Sequence, residues 1–396
     1  MKIVIYGDCF LPVVGGVQTS LNLLAKGLVG LNLTQEKGGG SDRIEVTVVT
    51  QSAAAGMDDS GLPYYVVRRP GFWRLISLIR DADVIHVAGP CLLPMAIAWL
   101  IGKPVFVEHH GYQANCSNGL LFREPSRTLC PGYFDRGEYA KCVRCTSQTL
   151  GLAGGVRVVL LTFPRRWLCK RVTANIMITN HVGVRLKLPR SRTVYYGIEE
   201  ANPATSERVP SHEGILNLAY VGRLVVEKGP ILLLQGAKKL KEQGVRFNLT
   251  FIGDGPERKS LNELANTFDL SDRVKFTGDL RGRELELAVA GIDVVVMPSL
   301  CEETAGLSAI EQMMRGRIVI ASDIGGLREV VDDAGLKFAP GDVGSLASCI
   351  RELVDNPALA RSLRFAARER AVKFFRQERM TQDHISLYRA ALSQHE

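Results

Sequence analysis

The stretch that decides the fold is PSLCEETAGLSAIE, residues 298–311. It follows the apolar run VVVM at 294–297, which is typical of a buried strand, and it leads into a predicted short helix. A helix N-terminus at that turn offers free backbone N–H groups and a positive dipole end, which attract anionic oxygens. Two carboxylates, Glu303 and Glu311, lie eight positions apart across the turn. Carboxylates beside an anion site are suited to hold hydroxyl groups, so the stretch predicts a ligand that carries both phosphate and hydroxyl groups.

The bulk composition is that of an ordinary globular protein, with 396 residues, 46% hydrophobic and 23% charged. This length allows two or three domains. The first residues do not predict a signal peptide, because Asp8 interrupts a short apolar run. The longest apolar window, 87–102, contains Pro90 and Pro94 and is too short to span a bilayer. We therefore expect a cytoplasmic protein without a transmembrane segment.

The formal net charge is +8, and basic residues cluster at 165–171 and 185–192. These clusters indicate either a solvated face or an attraction to phosphorylated substrates or to anionic lipid at the inner face of a membrane. Nucleic acid is not an expected partner, because no basic stretch carries the interleaved aromatic residues of a base-stacking surface.

The N-terminal half alternates predicted strands with helices, which favours a doubly wound parallel sheet. Ligands bind such sheets at the carboxyl ends of the strands. Gly15 and Gly16, between the first strand and the first helix, would let the backbone approach a ligand closely, or they form only a tight turn. The predicted strand that begins at Pro104 ends in His109 and His110. Because His110 stands at a strand end and precedes a glycine, it is a better site candidate than most single histidines.

A cysteine-rich insert at about 112–150 interrupts the alternation, and its spacing is C-x13-C-x11-C-x2-C. The four residues are Cys116, Cys130, Cys142 and Cys145. A segment with so little apolar content cannot build its own core, and a metal bound by four thiolates would supply the missing stability. The pattern predicts a structural zinc site or, as the second choice, an iron–sulfur cluster. Four reduced thiols, or a redox pair at Cys142 and Cys145, stay open as alternatives.

After a predicted helix at 155–172 and strands at 174–179 and 193–198, a polar segment at 199–214 reads as a linker. A second alternating half follows it. Arg223 comes directly after its first strand, and Lys228 lies five positions further on, next to a helix start. A planar guanidinium and a compact ammonium in this position predict a diphosphate clamp, unless the two are ordinary surface cations.

These pieces together resemble a GT-B glycosyltransferase and are similar to glycosyltransferase family 4, in a subset with a cysteine-rich insert in its N-terminal domain. The matching motifs occur in the family order. They are FxPxxGGV at 10–17, His110-Gly111, Gly222-Arg223 with Lys228-Gly229, GDGP at 253–256, E-x7-E at 303–311 and GGLxE at 325–329. Each motif is weak alone, but the ordered set is specific.

The resemblance implies a GT-B architecture with two Rossmann-like domains facing a cleft. The N-terminal acceptor domain would span 1–205, the nucleotide-sugar domain 206–375, and a last helix at 376–396 would cross back to the N-terminal domain. The implied reaction transfers a sugar, with retention of configuration, from a nucleoside-diphosphate sugar to a hydroxyl acceptor in polysaccharide, glycolipid or glycoconjugate biosynthesis. No cofactor is required for catalysis in this family.

The resemblance also implies roles for single residues. Arg223 and Lys228 would neutralise the diphosphate and stabilise the leaving group. Glu303 would hold the donor sugar, and Glu311 the ribose. The remaining implied donor contacts are the backbones of Gly15, Gly16, Leu307 and Ser308, and His110 would act near the reacting centre.

Two departures from the family pattern bear on the donor. Ala305 stands where an aromatic residue is common, and the proline usual after the second glutamate is missing from the stretch at 312–318. Two alternatives to a transferase stay open on the same fold, namely a nucleotide-sugar epimerase and a non-catalytic partner subunit. The joint presence of the charged residues named above argues against the second.

Overall fold

The computed structural model describes residues 1–13, 15–35, 43–123, 126–201 and 215–393. The chain divides into two compact units. The first unit consists of Met1–Pro125, Cys130–Glu199 and Phe375–Glu396, and the second consists of Ser126–Leu129 and Glu200–Phe374. Most of the predicted linker at 199–214 lies outside the described residues, and so does the predicted domain boundary at 205.

The first unit is built on a seven-stranded parallel sheet in the order β3-β2-β1-β4-β5-β8-β9. Before residue 200 the strands are β1 Lys2–Gly7, β2 Glu45–Thr50, β3 Tyr65–Arg68, β4 Val84–Ala88, β5 Val105–His109, the two-residue β6 Phe122–Arg123 and β7 Thr128–Leu129, β8 Ala174–Met177 and β9 Ser191–Thr193. Strands β1, β4, β5 and β8 are almost continuously buried, as strands covered on both faces should be.

Helices connect these strands. They are α1 Gly16–Gln35, α2 Phe72–Asp81, α3 Leu92–Ile101, α4 Tyr139–Cys169 and α5 Asn180–Leu186. The sequence order of strands reverses direction between β1 and β4, which creates a switch point at their carboxyl ends.

Two sequence predictions in this unit were wrong. The helix predicted at 155–172 begins at Tyr139, because two helical segments meet across Gly151, whose φ of 69° and ψ of 169° make a kink. The irregular insert therefore ends earlier than 150. The strand predicted at 193–198 is instead β9, Ser191–Thr193. Pro164 lies inside α4, as it lies inside the predicted range.

The second unit repeats the architecture with a six-stranded parallel sheet in the order β12-β11-β10-β13-β14-β15. Its strands are β10 Leu216–Val221, β11 Phe247–Ile252, β12 Val274–Gly278, β13 Val294–Met297, β14 Ile318–Ser322 and β15 Leu336–Phe338. Its helices are α6 Pro230–Glu242, α7 Arg258–Thr267, α8 Gly282–Ala290, α9 Leu307–Met314, α10 Gly325–Val331, α11 Val343–Asp355 and α12 Pro357–Phe374. The switch point lies between β10 and β13.

The final helix, α13 Gln377–Leu392, belongs to the first unit. It packs against α1, where the Oγ1 atom of Thr381 occupies the space that a side chain at Gly27 would need. The Gln377 amide donates to the carbonyl of Leu23 at 2.7 Å. Among the helices of the described ranges, none is both long and apolar enough to cross a membrane.

Candidate active site

The two cations and the first carboxylate predicted from sequence lie at the switch point of the second unit. Arg223 and Lys228 follow β10, and Glu303 follows β13, the strand that pairs with β10. The fold therefore brings together, at the carboxyl ends of adjacent strands, residues that lie up to 80 positions apart in the sequence.

Lys228 and Glu303 form a close ion pair. The Lys228 Nζ atom lies 2.5 Å from Glu303 Oε2, with side-chain exposures of 26% and 7%. Ser299 Oγ donates to the other carboxylate oxygen at 2.5 Å. Burial alone would raise the pKa of Glu303, but the charge of Lys228 and the hydrogen bonds from Lys228 and Ser299 outweigh it and lower the pKa below its ordinary value. The carboxylate is therefore ionised and held in one orientation.

Backbone contacts fix the two loops that carry this pair. The carbonyl of Glu227 accepts hydrogen bonds from the N–H groups of Leu300 and Cys301, at 2.9 and 3.2 Å. On the other side, a Cβ atom at Gly253 would lie 2.0 Å from the carbonyl oxygen of Gly222. The GDGP loop can therefore press directly on the backbone beside Arg223 only because this position is a glycine.

The GGLxE motif, which forms the start of helix α10, holds the backbone of Glu303 in place. The N–H group of Gly326 donates to the carbonyl of Glu303 at 2.6 Å. A Cβ atom at Gly326 would lie 2.1 Å from the carbonyl oxygen of Thr304, which is backbone and cannot swing away. The glycine pair of this motif is thus explained by the close contact between the start of α10 and the backbone of residues 302–305.

Helix α9 begins at Leu307 after Gly306, whose φ is 80°. Its first N–H groups, those of Leu307 and Ser308, precede the turn in which intrahelical bonds begin, so they are available to an anion. Glu311 lies one turn further on and is half-buried. Burial raises the pKa of Glu311, against a smaller opposing effect of Arg315. Its carboxylate has no hydrogen bond or ion pair to any residue in the described ranges, so it is an open acceptor.

Arg223 differs from Lys228 in its surroundings. It is exposed, and within the part of the chain that the structure describes its guanidinium makes no hydrogen bond or ion pair. The backbone carbonyl of Arg223 accepts from the Tyr220 hydroxyl at 2.6 Å, which anchors the main chain while the side chain stays available.

The first unit places Gly15 and Gly16 after β1, at its own switch point, where α1 begins at Gly16. Close by, the Cys91 thiol at the start of α3 donates to Asp8 Oδ2 at 3.4 Å. Burial, followed by the nearby Asp8 carboxylate, raises the pKa of Cys91 well above its usual range, so the thiol is protonated.

His110 lies one strand further along, directly after β5, and its ring is engaged by protein groups. Its Nδ1 atom is 2.7 Å from the Tyr196 hydroxyl, and its ring stacks on Tyr196 with an interplanar angle of 16°. Its Nε2 atom is 3.3 Å from Glu108 Oε2, and its side chain is 5% exposed. In this conformation the histidine is positioned from two sides, and little of the ring faces solvent.

Glu108 is the centre of a buried network. Its carboxylate lies 3.2 Å from His86 Nε2 and 3.7 Å from Nε2 of His384 on α13. The Tyr388 hydroxyl, also on α13, is 2.8 Å from His86 Nδ1. Burial would raise the pKa of Glu108, but the histidines, His110 first, lower it well below its usual range. A single buried carboxylate thus links His110 to the C-terminal helix.

The neighbouring His109 is a structural residue. Its Nε2 atom is 2.9 Å from the Asn175 side chain on β8. Burial lowers the pKa of His109 to about 4, and it does the same for His384.

The four cysteines of the insert share one region of the first unit. All four are free thiols. Burial, followed by the charges of Cys116, Cys130 and Cys145, raises the pKa of Cys142 to about 12. The Cys116 thiol donates to Asn118 Oδ1 at 2.9 Å, and the amide of Asn118 donates to Cys145 Sγ at 3.6 Å.

Their sulfur atoms are nevertheless not arranged for a metal. Tetrahedral zinc with Zn–S bonds of about 2.3 Å requires sulfur–sulfur distances of about 3.8 Å. Among the described residues, the group of three potential ligands whose atoms all lie within 4.8 Å of one another is His86, Glu108 and His384, and no three of these sulfur atoms come that close.

The chain is similar in sequence to known glycosyltransferases. Residues 204–370 match the family model of glycosyl transferases group 1. The 2-deoxystreptamine glucosyltransferase of Streptomyces kanamyceticus is 30% identical over 241 residues, which cover 56% of this chain and 62% of that protein. Glycogen synthase of Mycobacterium tuberculosis is 32% identical over 197 residues, which cover 49% of this chain and 47% of that protein. The chain thus spans about half to three-fifths of these curated relatives.

Solved structures extend the likeness to nearly the whole chain. Anabaena Alr3699/HepE, crystallised in complex with UDP-glucose, superimposes with a TM-score of 0.71 at 17% identity and covers 98% of this chain and 100% of that one. Sucrose-phosphate synthase from Thermosynechococcus elongatus gives a TM-score of 0.70 at 19% identity, with 99% of both chains covered. At such identities the likeness shows the fold, and the predicted GT-B fold class is confirmed.

Several residues of the candidate site were missed from the sequence. Ser299, Glu108 and Tyr196 orient Glu303 and His110, yet none of them was singled out. Glu108 carries a signal that could have found it, since a carboxylate within a buried apolar strand needs a partner. The partners themselves come from distant parts of the chain, and no spacing rule predicts them.

Proposed function

We propose that this protein is a glycosyltransferase that moves a sugar from a nucleoside-diphosphate sugar to a hydroxyl acceptor with retention of configuration. The observation that carries the proposal is the set of charged groups at the second unit's switch point. The fixed Lys228–Glu303 pair and the exposed guanidinium of Arg223 follow the adjacent strands β10 and β13, and Glu311 follows in the first turns of α9. Within the described residues, neither the Arg223 guanidinium nor the Glu311 carboxylate has a hydrogen-bond or ion-pair partner. Cations for phosphate oxygens and carboxylates for hydroxyl groups match the two halves of such a donor.

In the proposed reaction, the bond between the sugar C1 atom and the diphosphate oxygen breaks while a bond forms between C1 and the acceptor oxygen. Negative charge then grows on the diphosphate, where Arg223, Lys228 and the first N–H groups of α9 stabilise it. The acceptor hydroxyl gives its proton to an oxygen of the departing diphosphate, so that charge and atoms balance. Because the ammonium of Lys228 is held by Glu303 before the donor binds, little reorganisation is needed when the charge develops.

The two carboxylates have separate proposed targets. Glu303, fixed by Ser299 and Lys228, accepts hydrogen bonds from donor-sugar hydroxyls, and Glu311 accepts them from the ribose. Gly15 and Gly16 are proposed to contribute backbone contacts to the donor, and His110 to act near the reacting centre. Glu108 and Tyr196 support this role of His110, because they fix the orientation of its ring.

Nucleotide-sugar titration tests the proposal directly. Calorimetry with UDP-, GDP- and ADP-glucose should show that one of them binds, and the Anabaena protein solved with UDP-glucose makes the uridine nucleotide the first to try. Product analysis with an added acceptor should then show transfer. Failure of all three to bind would reject the transferase, and consumption of donor without any acceptor would favour an epimerase.

The cysteines of the insert carry a separate proposal, a structural zinc or iron–sulfur site. The shared region of the four cysteines and the small size of the apolar cluster beside them, formed by Phe134, Cys142 and Val159, support it, but the sulfur atoms would have to move together to form the site. Metal analysis of the purified protein, with serine in place of Cys142 as the comparison, decides between metal and four free thiols. A metal content that this change leaves unaltered would reject the site.

For the cell, we propose a cytoplasmic protein with peripheral contact to an anionic membrane. The acceptor would then be a lipid-linked sugar or a growing polysaccharide at that surface.

A further inference from the structure

Helix α4 exposes a stripe of large apolar side chains. Their exposed fractions are 71% for Leu152, 39% for Val156, 61% for Leu160, 42% for Phe163 and 43% for Trp167. The steps between them are four, four, three and four residues, so they share one face of the helix. We call this set the α4 stripe.

A neighbouring face of α4, about 90° around the helix axis, is the one that packs on the protein. Gly155, Val159 and Thr162 lie there and are buried. An amphipathic helix normally turns its apolar face to the core. Here a second apolar face lies towards solvent. It is covered only in part, because the Phe163 ring packs against the rings of Phe134 and Tyr139 at centroid distances of 5.0 Å, whereas Leu152 and Leu160 are more than half exposed.

The α4 stripe continues onto helix α3. The rings of Trp167 and Trp99 lie 5.1 Å apart in an edge-to-face arrangement. Beyond Trp99, Leu100 is 74% exposed and Ile101 is 38% exposed. From Leu152 to Trp167 the helix rises about 22 Å. A continuous apolar surface of this length marks an interaction site, whereas apolar residues scattered singly over a surface need no explanation.

The charged residues of helix α4 are all basic. The sequence of α4, 139–169, holds five basic residues and no aspartate or glutamate, and α3 carries no charged residue. Arg157, Lys170 and Arg171 are exposed. The guanidinium of Arg171 lies 3.7 Å from the centre of the Trp167 ring, so a cation borders the apolar surface directly.

We propose that the α4 stripe and the end of α3 dock onto the surface of an anionic lipid bilayer. Apolar side chains would enter the boundary between headgroups and acyl chains, tryptophans would lie at headgroup level, and the basic residues would face lipid phosphates. A second copy of this chain is a poorer occupant, because the same surface would bring the exposed Arg157, Lys170 and Arg171 of each copy together. The inference goes beyond the proposed sugar transfer, and its test needs no donor.

The test is sedimentation of the full chain with vesicles. Binding should be strong to vesicles in which about a third of the lipid is phosphatidylglycerol and weak to pure phosphatidylcholine, and it should fall as salt screens the charges. A triple variant, Leu100→Ser, Leu152→Ser and Leu160→Ser, should bind the anionic vesicles at least about tenfold more weakly. These three side chains are the most exposed of the surface, so their loss should leave the melting temperature unchanged.

The matched control changes exposed apolar residues elsewhere. Leu287 and Phe365, both in the second unit, are 66% and 79% exposed. The double variant Leu287→Ser and Phe365→Ser should bind anionic vesicles as the unchanged protein does. A further variant, Arg157→Ser with Lys170→Ser, should lose binding to anionic vesicles only.

Three outcomes would overturn the proposal. The first is that the unchanged protein does not sediment with anionic vesicles. The second is that the control variant weakens binding as much as the triple variant does. The third is dimerisation measured by light scattering that the triple variant abolishes while vesicle binding is absent, since the surface would then be an interface between copies. Sugar transfer measured on soluble acceptors is independent of all three.

Discussion

Replacing Lys228 with methionine should destabilise the protein in a way that depends on pH. The change removes the cation but keeps most of the volume of the side chain. Glu303, 7% exposed in its side chain, would be left with only the hydrogen bond from Ser299. A buried carboxylate without a counter-charge is costly, and it responds by taking up a proton.

The cost of leaving the Glu303 charge unpaired cannot exceed the free energy of protonating its carboxylate. With an ordinary pKa of 4.5, protonating the carboxylate at pH 7 costs about 3.4 kcal/mol, and at pH 5 only about 0.7 kcal/mol. Breaking a fully buried pair costs about 3–5 kcal/mol. Since Lys228 is 26% exposed, water replaces part of the lost interaction, and we expect about 2–3 kcal/mol at pH 7.

The direction of the pH dependence follows from the pKa of Glu303 in the unchanged protein and in the variant. In the unchanged protein the pKa of Glu303 is lowered, so its contribution to stability is present above the ordinary value and is lost as pH falls through the folded value. In Lys228→Met, burial raises the pKa of Glu303, so the folded protein takes up the proton first and recovers stability on mild acidification. The difference between the two proteins should therefore shrink to below about 1 kcal/mol at pH 5.

Urea unfolding of the full chain at both pH values measures this difference. Adding Glu303→Gln to Lys228→Met should restore most of the stability at pH 7, because the unpaired charge is gone. The control is Lys259→Met, which removes an exposed pair at 4.0 Å to Glu263 and should cost less than about 0.5 kcal/mol. An equal loss at both pH values, or no rescue by Glu303→Gln, would refute the reasoning.

Three further changes test other parts of the structure. Glu311→Gln should weaken UDP binding by about 1–2 kcal/mol in calorimetry, since it replaces a charged acceptor by a neutral one; an unchanged affinity would contradict the ribose contact. Gly326→Ala should lower the stability by several kcal/mol in thermal unfolding, because its Cβ would lie 2.1 Å from the Thr304 carbonyl; a wild-type melting temperature would contradict this geometry. In urea unfolding, the free energy of unfolding should fall as the pH drops from 6.5 towards 4. The reason is that His109 and His384, with pKa values of about 4 in the folded protein, take up protons in this range only when the chain unfolds. Constant stability between pH 6.5 and 5.5 would exclude that contribution.

The sequence predicted strands better than helices in this chain. The apolar run predicted as a strand at 294–297 matches β13 residue for residue, and the strand predicted at 174–179 starts where β8 does. Strands of a parallel sheet covered on both faces are continuously apolar, so their ends are marked in the sequence. The start of helix α4 was missed because the segment 139–150 holds two of the clustered cysteines and was taken as part of the irregular insert, whereas it is helical up to the kink at Gly151.

The candidate site was predictable in its residue types but not in their partners. Arg223, Lys228, Glu303 and Glu311 stand at strand ends or in the first turns of helices, which local patterns reveal. The groups that orient them are tertiary. His110 meets Tyr196 across 86 positions, and such a separation has no periodicity for a sequence to show.

The two cations proposed to bind the donor's phosphates, Lys228 and Arg223, differ in their surroundings, and this difference should affect how the donor binds. Lys228 is neutralised by Glu303 before any ligand arrives, so the pair contributes orientation but little net charge. The exposed Arg223 and the N-terminus of α9 supply the net positive field of the site. A free sugar would meet only the carboxylates and gain nothing from that field, whereas a nucleoside diphosphate engages it fully. We therefore expect the donor's diphosphate, rather than its sugar, to provide most of the binding free energy, and the sugar contacts of Glu303 to matter chiefly for the transfer step.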